Sequence, residues 1–241
     1  MPAIHVAAAV LIDRRGRILI AQRPAGKHLA GSWEFPGGKI EPGETRTAAL
    51  ARELKEELGV TIERPRPLLR LRHAYPYGEV LLDVWVVRRY LGEPRGLDGQ
   101  ALRWCRQGEL GSAEMLPADR PIVAALRLPE RLRRPASPFY EILACDDVKL
   151  ALGIHALRQG SAADRPAPTC VQRRLQGALC GGSRAAWEAA SAGADFLVMR
   201  DALPHDELAA LCAGVDLPVF ARGVALERAW TFGATGINSI A

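Results

Sequence analysis

The sequence predicts an α/β protein in two parts. In the first half, strand-length apolar runs rich in Val, Ile and Ala flank one strongly patterned helix. After residue 183, helices and strands alternate, the pattern of a parallel sheet with crossover helices. Between the halves, Pro129–Pro138 (PERLRRPASP) is rich in proline and arginine and reads as linker. A chain of 241 residues is long enough for two modest domains that each bury a core. The expected division is 1–130, then 131–175 as linker and irregular connection, then 176–241.

In chain order, Ile4–Ile12 and Ile18–Gln22 are apolar runs joined by Asp13–Arg17 with Gly16, which reads as a hairpin. Arg23–His28 leaves as a polar loop, and Trp33–Gly38 (WEFPGG) leads to a helix from about Thr45 to Leu58. There Leu50, Leu54 and Leu58 recur at i, i+4, i+8 as a core face, and Gly59 is the C-terminal stop. Pro65 and Pro67 mark a connection, and Leu68–Tyr75 and Glu79–Tyr90 read as strands about Tyr75-Pro76-Tyr77-Gly78. Gly92–Gln100 is a loop, Ala101–Cys105 a strand, and Leu116–Pro121 opens a helix to about Leu126. Phe139–Leu157 is weakly patterned, and Arg158–Arg174 reads as irregular connection. Helices at Ser183–Ala192, His205–Ala213 and Ala225–Phe232 then alternate with strands at Phe196–Met199, Pro218–Ala221 and Gly236–Ile240.

The first helix also carries acids. At about 100° per residue, Glu53, Glu56 and Glu57 share a sector roughly 100° wide, with Glu44 at the helix start. Like charges at these spacings cost roughly a few tenths of a kcal/mol per pair, and a cation turns that cost into a site. Oxygen donors without His or Cys suit Mg2+ or Mn2+, which keep waters and bridge to substrate phosphates. The alternative is a solvated acidic face.

The surrounding residues bear on that choice. Gly38, Glu44, Arg52, Glu53, Leu54, Glu56, Glu57, Gly59 and Val60 meet every position of the pattern Gly, five residues, Glu, seven residues, Arg-Glu-apolar-x-Glu-Glu-x-Gly-apolar. This resembles the Nudix box. Its seven identities, each expected at roughly one in fifteen from average usage, do not recur by chance. The resemblance extends over about residues 4–128 and is to the MutT-type branch, which hydrolyses oxidised deoxyguanosine triphosphate; Arg23, His28, Glu34 and Phe35-Pro36-Gly37-Gly38 match that branch.

That resemblance implies a Nudix α/β/α sandwich with a mixed sheet, hydrolysing a nucleoside triphosphate to a monophosphate and pyrophosphate. It implies Mg2+ (or Mn2+) held by Glu53, Glu56 and Glu57, with the backbone carbonyl of Gly37 and with Asp98, which stands where the branch has a longer glutamate. Glu53 is the first candidate for the base that activates water and Asp98 the second. Arg52 resembles the arginine that holds the box glutamates in position, its alternative being a surface i, i+4 pair with Glu56. Arg23 and His28 resemble residues that contact the phosphates and sugar, and Phe35 either walls the base pocket or packs.

Asp119 stands where the branch has an asparagine that reads oxidised guanine. An ionised carboxylate only accepts hydrogen bonds. Asp119 therefore accepts the extra N7 hydrogen of 8-oxoguanine, or stays protonated in a dry pocket and donates as well, or marks a changed base. It also suits a helix N-cap. Asp119 and Asp98 keep open one alternative, a Nudix hydrolase of another nucleoside diphosphate derivative; a second, a non-catalytic nucleotide sensor, has the intact box against it.

Residues 176–241 resemble the C-terminal part of thiamine-phosphate synthase, a (β/α)8 barrel, through Gly193–Phe196, Leu217–Ala221 and Phe232–Ile237. The segment is too short for a barrel of typically 200 or more residues. Gly223-Val224 stands where that family has paired glycines for its phosphate. The resemblance implies a partial (β/α) barrel-like segment, a remnant without synthase activity.

The net charge of +5 comes from arginines spread along the chain, without a dense basic block. Stable nucleic-acid binding is not expected, whereas a small anionic substrate fits. Five cysteines without C-x-x-C spacing indicate neither a disulfide framework nor a zinc site. With no leader-like start and no apolar run of membrane-spanning length, a cytoplasmic protein without a membrane partner is expected. The sequence pattern sets no oligomeric state.

Overall fold

The structure, a computed structural model, describes residues 3–76, 78–132, 140–144 and 175–239. It has two compact units, one of Met1–Pro67 and Leu71–Val123, the other of Leu68–Arg70 and Ala124–Ala241. Expectations for residues 133–139 and 145–174, including Cys145 and Cys170, lie outside the described residues.

In the first unit a four-stranded sheet has the order β4 (Gly37–Lys39), β1 (Ile4–Leu11), β7 (Gly78–Val87), β6 (Arg66–Tyr75). β1 runs parallel to β7 along its whole length and antiparallel to β4, so the sheet is mixed. A three-stranded sheet has the order β3 (Trp33–Glu34), β2 (Ile18–Gln22), β9 (Leu102–Cys105). β5 (Thr61–Glu63) and β8 (Arg89–Leu91) form a separate ribbon.

The expected hairpin is corrected here. β1 and β2 touch only at an Ile12–Ile18 bridge and through the turn, where Asp13 N donates to Arg17 O (2.9 Å). The physical reason is that both edges of β1 are already filled, by β4 and β7, so β2 pairs instead with β3 and β9. The expected strand Glu79–Tyr90 likewise ends at Val87, and β8 departs to pair with β5.

Helix α1 (Arg46–Leu58) lies as expected. The Thr45 hydroxyl caps it by accepting from Ala48 N (3.2 Å), and Gly59 ends it in the left-handed region at φ 73°. Leu50, Leu54 and Leu58 are fully buried against Ala7, Ala9 and Leu11, the i, i+2, i+4 face of β1. From the first turn of α1, Arg46 Nη1 donates to buried Asp83 of β7 at 3.0 Å, a long-range pair that local pattern does not reveal. After β9, the 3-10 turn Pro117–Asp119 leads into the short helix α2 (Arg120–Ala125).

The second unit holds a curled parallel half-barrel sheet. Its six strands among the described residues run in the order β10 (Arg131–Leu132), β15 (Gly236–Asn238), β14 (Val219–Ala221), β13 (Phe196–Met199), β12 (Leu175–Cys180), β11 (Tyr140–Ala144). Every adjacent pair is parallel, as the alternation of elements predicts. Leu197 and Met199 pack with Ala186 and Ala189 of α3 (Ser183–Ser191) and with Leu208 and Leu211 of α4 (His205–Gly214). Phe196 and Val198 point the other way, and the Phe196 and Phe220 rings meet edge to face at 5.9 Å. Burial on both faces explains the unbroken apolar run FLVM. Helix α5 (Leu226–Thr231) precedes β15. Arg131–Leu132 and Tyr140–Ala144, expected within the connection, are strands of this sheet.

Leu54→Ala, which empties a fully buried position between α1 and β1, is expected to cost about 2–5 kcal/mol of stability. Urea unfolding of the full chain followed by far-UV circular dichroism checks this; a cost below about 1 kcal/mol is incompatible with the packing described.

Candidate active site

The site begins with two glycines on β4. Gly37 sits at φ 146°, and a β-carbon there would overlap the backbone at Ala7 and Ala8 on β1. A β-carbon on Gly38 would overlap the carboxyl of Glu53. Absence of side chains thus lets β4 lie close to β1 while Glu53 of α1 reaches up beneath it.

One cation then organises the acids. Arg52 Nε and Nη2 donate to the two oxygens of Glu44, both at 3.0 Å. Its Nη1 donates to Glu53 Oε1 (2.9 Å) and Glu56 Oε2 (3.1 Å), and Nη2 also to Lys39 O (3.0 Å). All five guanidinium hydrogens are used. These bonds hold the proton on Arg52 more tightly than usual, led by the bond to Glu44, and that bond also lowers the pKa of Glu44. The alternative of a single surface pair with Glu56 is therefore too small a description.

Glu57 stands apart from this cluster. Its Oε2 accepts from Gly37 N at 3.2 Å. Burial pushes its carboxyl up to about 7; the Gly37 bond opposes that, while Glu53, Glu34 and Asp98 add to it as like charges. Asp98 is exposed, on a loop that docks on the end of α1: Leu97 N and Gln100 Nε2 donate to Glu57 O at 2.9 and 3.1 Å.

A second group lies along β3. Arg23 Nη1 pairs with Glu34 and Nε donates to His28 O at 2.8 Å, which leaves Nη2 without a partner among the described residues. Burial raises the Glu34 carboxyl against the pull of Arg23. His28 is exposed and meets the Tyr75 ring edge-on at 6.2 Å. Phe35 is buried, and its backbone N donates to Asp119 Oδ2 at 3.2 Å. The Asp119 carboxyl therefore ties α2 back to β3 rather than capping the helix. It is 3% exposed, and burial pushes it up to about 8, with Glu34 adding to the shift and Phe35 N and Arg23 opposing it. At neutral pH it is a neutral acid that both donates and accepts.

Glu34 is the residue that sequence reasoning left without a role. It acts electrostatically on both Glu57 and Asp119 and so joins the two groups. Its place beside Phe35-Pro36-Gly37 was the available signal.

Residues 7–125 match the family model of the NUDIX domain. The 8-oxo-dGTP diphosphatase of Escherichia coli is 36% identical over 127 residues, covering 53% of this chain and 98% of its own length. The CTP pyrophosphohydrolase of the same organism is 40% identical over 136 residues, covering 56% and 99%. A solved structure, the solution structure of the E. coli ORF135 protein, is 38% identical with a TM-score of 0.49, covering 57% of this chain and 96% of that one. The glycine-bearing strand and acidic helix are thus those of a pyrophosphohydrolase. The chain belongs to the Nudix family, with MutT-like relatives along its first half.

Nudix hydrolases generally use divalent metal ions. Among the described residues no three acids form a ready-made ligand cage, because Glu53 and Glu56 turn to Arg52 and Glu57 to Gly37. The donor set nevertheless fits a hard cation. Glu53, Glu56 and Glu57 each keep one oxygen without a partner among the described residues, and the charge crowding that adds to the effect of burial on Glu57 is what a cation relieves.

Two outcomes follow from this geometry. Gly38→Ala is expected to displace the Glu53 carboxyl and lower turnover at least tenfold; steady-state pyrophosphate release at saturating Mg2+ measures it. The second concerns Asp119, whose pKa is about 8 folded against an ordinary carboxylate value near 3.9 unfolded. Between those values the folded chain holds a proton the unfolded chain has lost, so this contribution to stability falls as pH rises from about 4 to 8. Asp119→Asn removes the titration, and its Tm relative to the parent is expected to rise between pH 5.5 and pH 8.5.

Proposed function

We propose that the chain hydrolyses oxidised purine nucleoside triphosphates, converting 8-oxo-dGTP to 8-oxo-dGMP and pyrophosphate, and so cleans the cytoplasmic nucleotide pool. The observation that carries this reading is the buried, neutral carboxyl of Asp119 beside Phe35. A neutral acid donates to O6 and accepts from the N7 hydrogen of 8-oxoguanine, the same pair of contacts an amide makes. Relatives named 8-oxo-dGTP diphosphatase support it.

In this reading Glu53, Glu56 and Glu57, with Asp98 and the carbonyl of Gly37, hold Mg2+ or Mn2+. Such an ion, when bound, neutralises charge on phosphoryl oxygens and makes water more acidic. Glu53 takes the proton from the attacking water, with Asp98 as the second candidate. Arg52 is a positioning residue for the acids. Arg23 offers its remaining guanidinium nitrogen to a phosphate, His28 lies toward the sugar, and Phe35 walls the base. Residues 1–130 carry this activity, and 176–241 are a thiamine-phosphate-synthase-like remnant without it.

A second reading, hydrolysis of CTP, is favoured by the 40% identical relative named CTP pyrophosphohydrolase. Cytosine presents an amino donor at N4 beside an acceptor at N3, which the same neutral carboxyl also satisfies.

Pyrophosphate release with Mg2+ on 8-oxo-dGTP, dGTP and CTP separates these readings. At least a hundredfold higher kcat/KM for 8-oxo-dGTP than for either competitor is expected, and a preference for CTP overturns the first reading in favour of the second. Glu53→Gln is expected to lower kcat by about 10²–10⁴-fold on the preferred substrate. A non-catalytic nucleotide sensor has no such turnover to lose.

A further inference from the structure

The turn between β1 and β2 and the β5–β8 ribbon enclose a cleft of about 600 Å³, within the size range of small-ligand sites. Arg14 and Arg15 line it from the turn, Arg89 from the ribbon, and Arg88 from the link between β7 and β8. None of the four makes an ion pair or side-chain hydrogen bond to a described residue. Arg17, Arg46 and Arg52, by contrast, each have a carboxylate.

Two acids share the cleft, and neither cancels its charge. Asp13 is already engaged, accepting from Arg17 Nε at 2.8 Å and from the backbone N of Arg15 and Arg17 at 2.9 and 2.8 Å. Those backbone bonds also fix the turn that presents Arg14 and Arg15. Glu63 lies opposite Arg89 across the ribbon but is outnumbered. Four guanidiniums gathered in a concavity repel one another unless an anion joins them, and each matches two oxygens of a phosphate at once.

The wall between the arginines is suited to an organic group. Tyr90 lines the cleft, and burial raises its phenol, keeping it neutral and able to donate. Leu91 beside it is 64% exposed. We propose that this cleft is a second, metal-independent anion site on the Nudix domain, one that takes a phosphate-bearing ligand through Arg14, Arg15, Arg88 and Arg89. It stands whichever nucleotide the hydrolase cleaves.

Calorimetric titration of the full chain in EDTA, with sodium tripolyphosphate in one arm and AMP in the other, tests it against an Arg14→Gln/Arg88→Gln variant. Saturable binding is expected in the parent, weakening as salt rises, with at least a tenfold loss of affinity in the variant. Hydrolysis by the variant in Mg2+ is expected within twofold of the parent, and its Tm unchanged, because both arginines are exposed and unpaired. Tripolyphosphate binding alone identifies a polyphosphate ligand, and tighter AMP binding identifies a nucleotide using Tyr90 and Leu91. Equal affinity in parent and variant, no saturation in the parent with either probe, or binding and hydrolysis lost together each overturns the proposal.

Discussion

The first unit depends on the guanidinium of Arg52. It reaches across the turn to Glu44, along the helix to Glu56, up to Glu53 and over to the carbonyl of Lys39 at the end of β4. Three carboxylates on one patch would otherwise drive one another apart. A lysine could not replace it, because three rotating hydrogens on one nitrogen cannot hold five bonds in a plane. The glycine pair on β4 is the complementary condition, for a side chain at Gly38 would push the Glu53 carboxyl out of its place.

The two acid groups are held in opposite ways. Around Arg52 the carboxylates share a cation, and the bond to it lowers the pKa of Glu44. At Asp119 the carboxyl is buried with a single backbone donor, and burial outweighs that bond. Glu34 mediates between them, pinned by Arg23 and repelling both Glu57 and Asp119. Glu44, lowered by its bond to Arg52, and Asp119, raised by burial, thus differ in proton affinity because their surroundings differ, the usual means by which one fold assigns separate acid and base duties.

What sequence revealed and what it hid follow a physical line. The helix Arg46–Leu58, its cap, its stop and its buried leucines are local features, and the box spacing placed the acids on it. The alternating elements of the second unit were likewise legible, because Phe196–Met199 is an unbroken apolar run buried on both faces and Ser183–Ser191 is amphipathic at helical spacing. Non-local pairing was not legible. Nothing near Ile4 announces β7 as its parallel neighbour, and the turn at Asp13–Arg17 imitates a hairpin whose strands belong to different sheets. Strands of two or three residues, such as Trp33–Glu34 and Gly37–Lys39, are too short for alternation to register. The Asp119 contact with Phe35 spans most of the domain, so no window of sequence could choose between cap and pocket.

The strand order of the second unit has a consequence for synthesis. β10 and β11 are consecutive along the chain yet occupy opposite edges of the sheet, and the partner of Arg131 is Ile237. Roughly a hundred residues must leave the ribosome before that pairing is possible, at about 5–20 residues per second. For those seconds the nascent β10 has no strand partner, and β15, made last among the described strands, is the one that covers it.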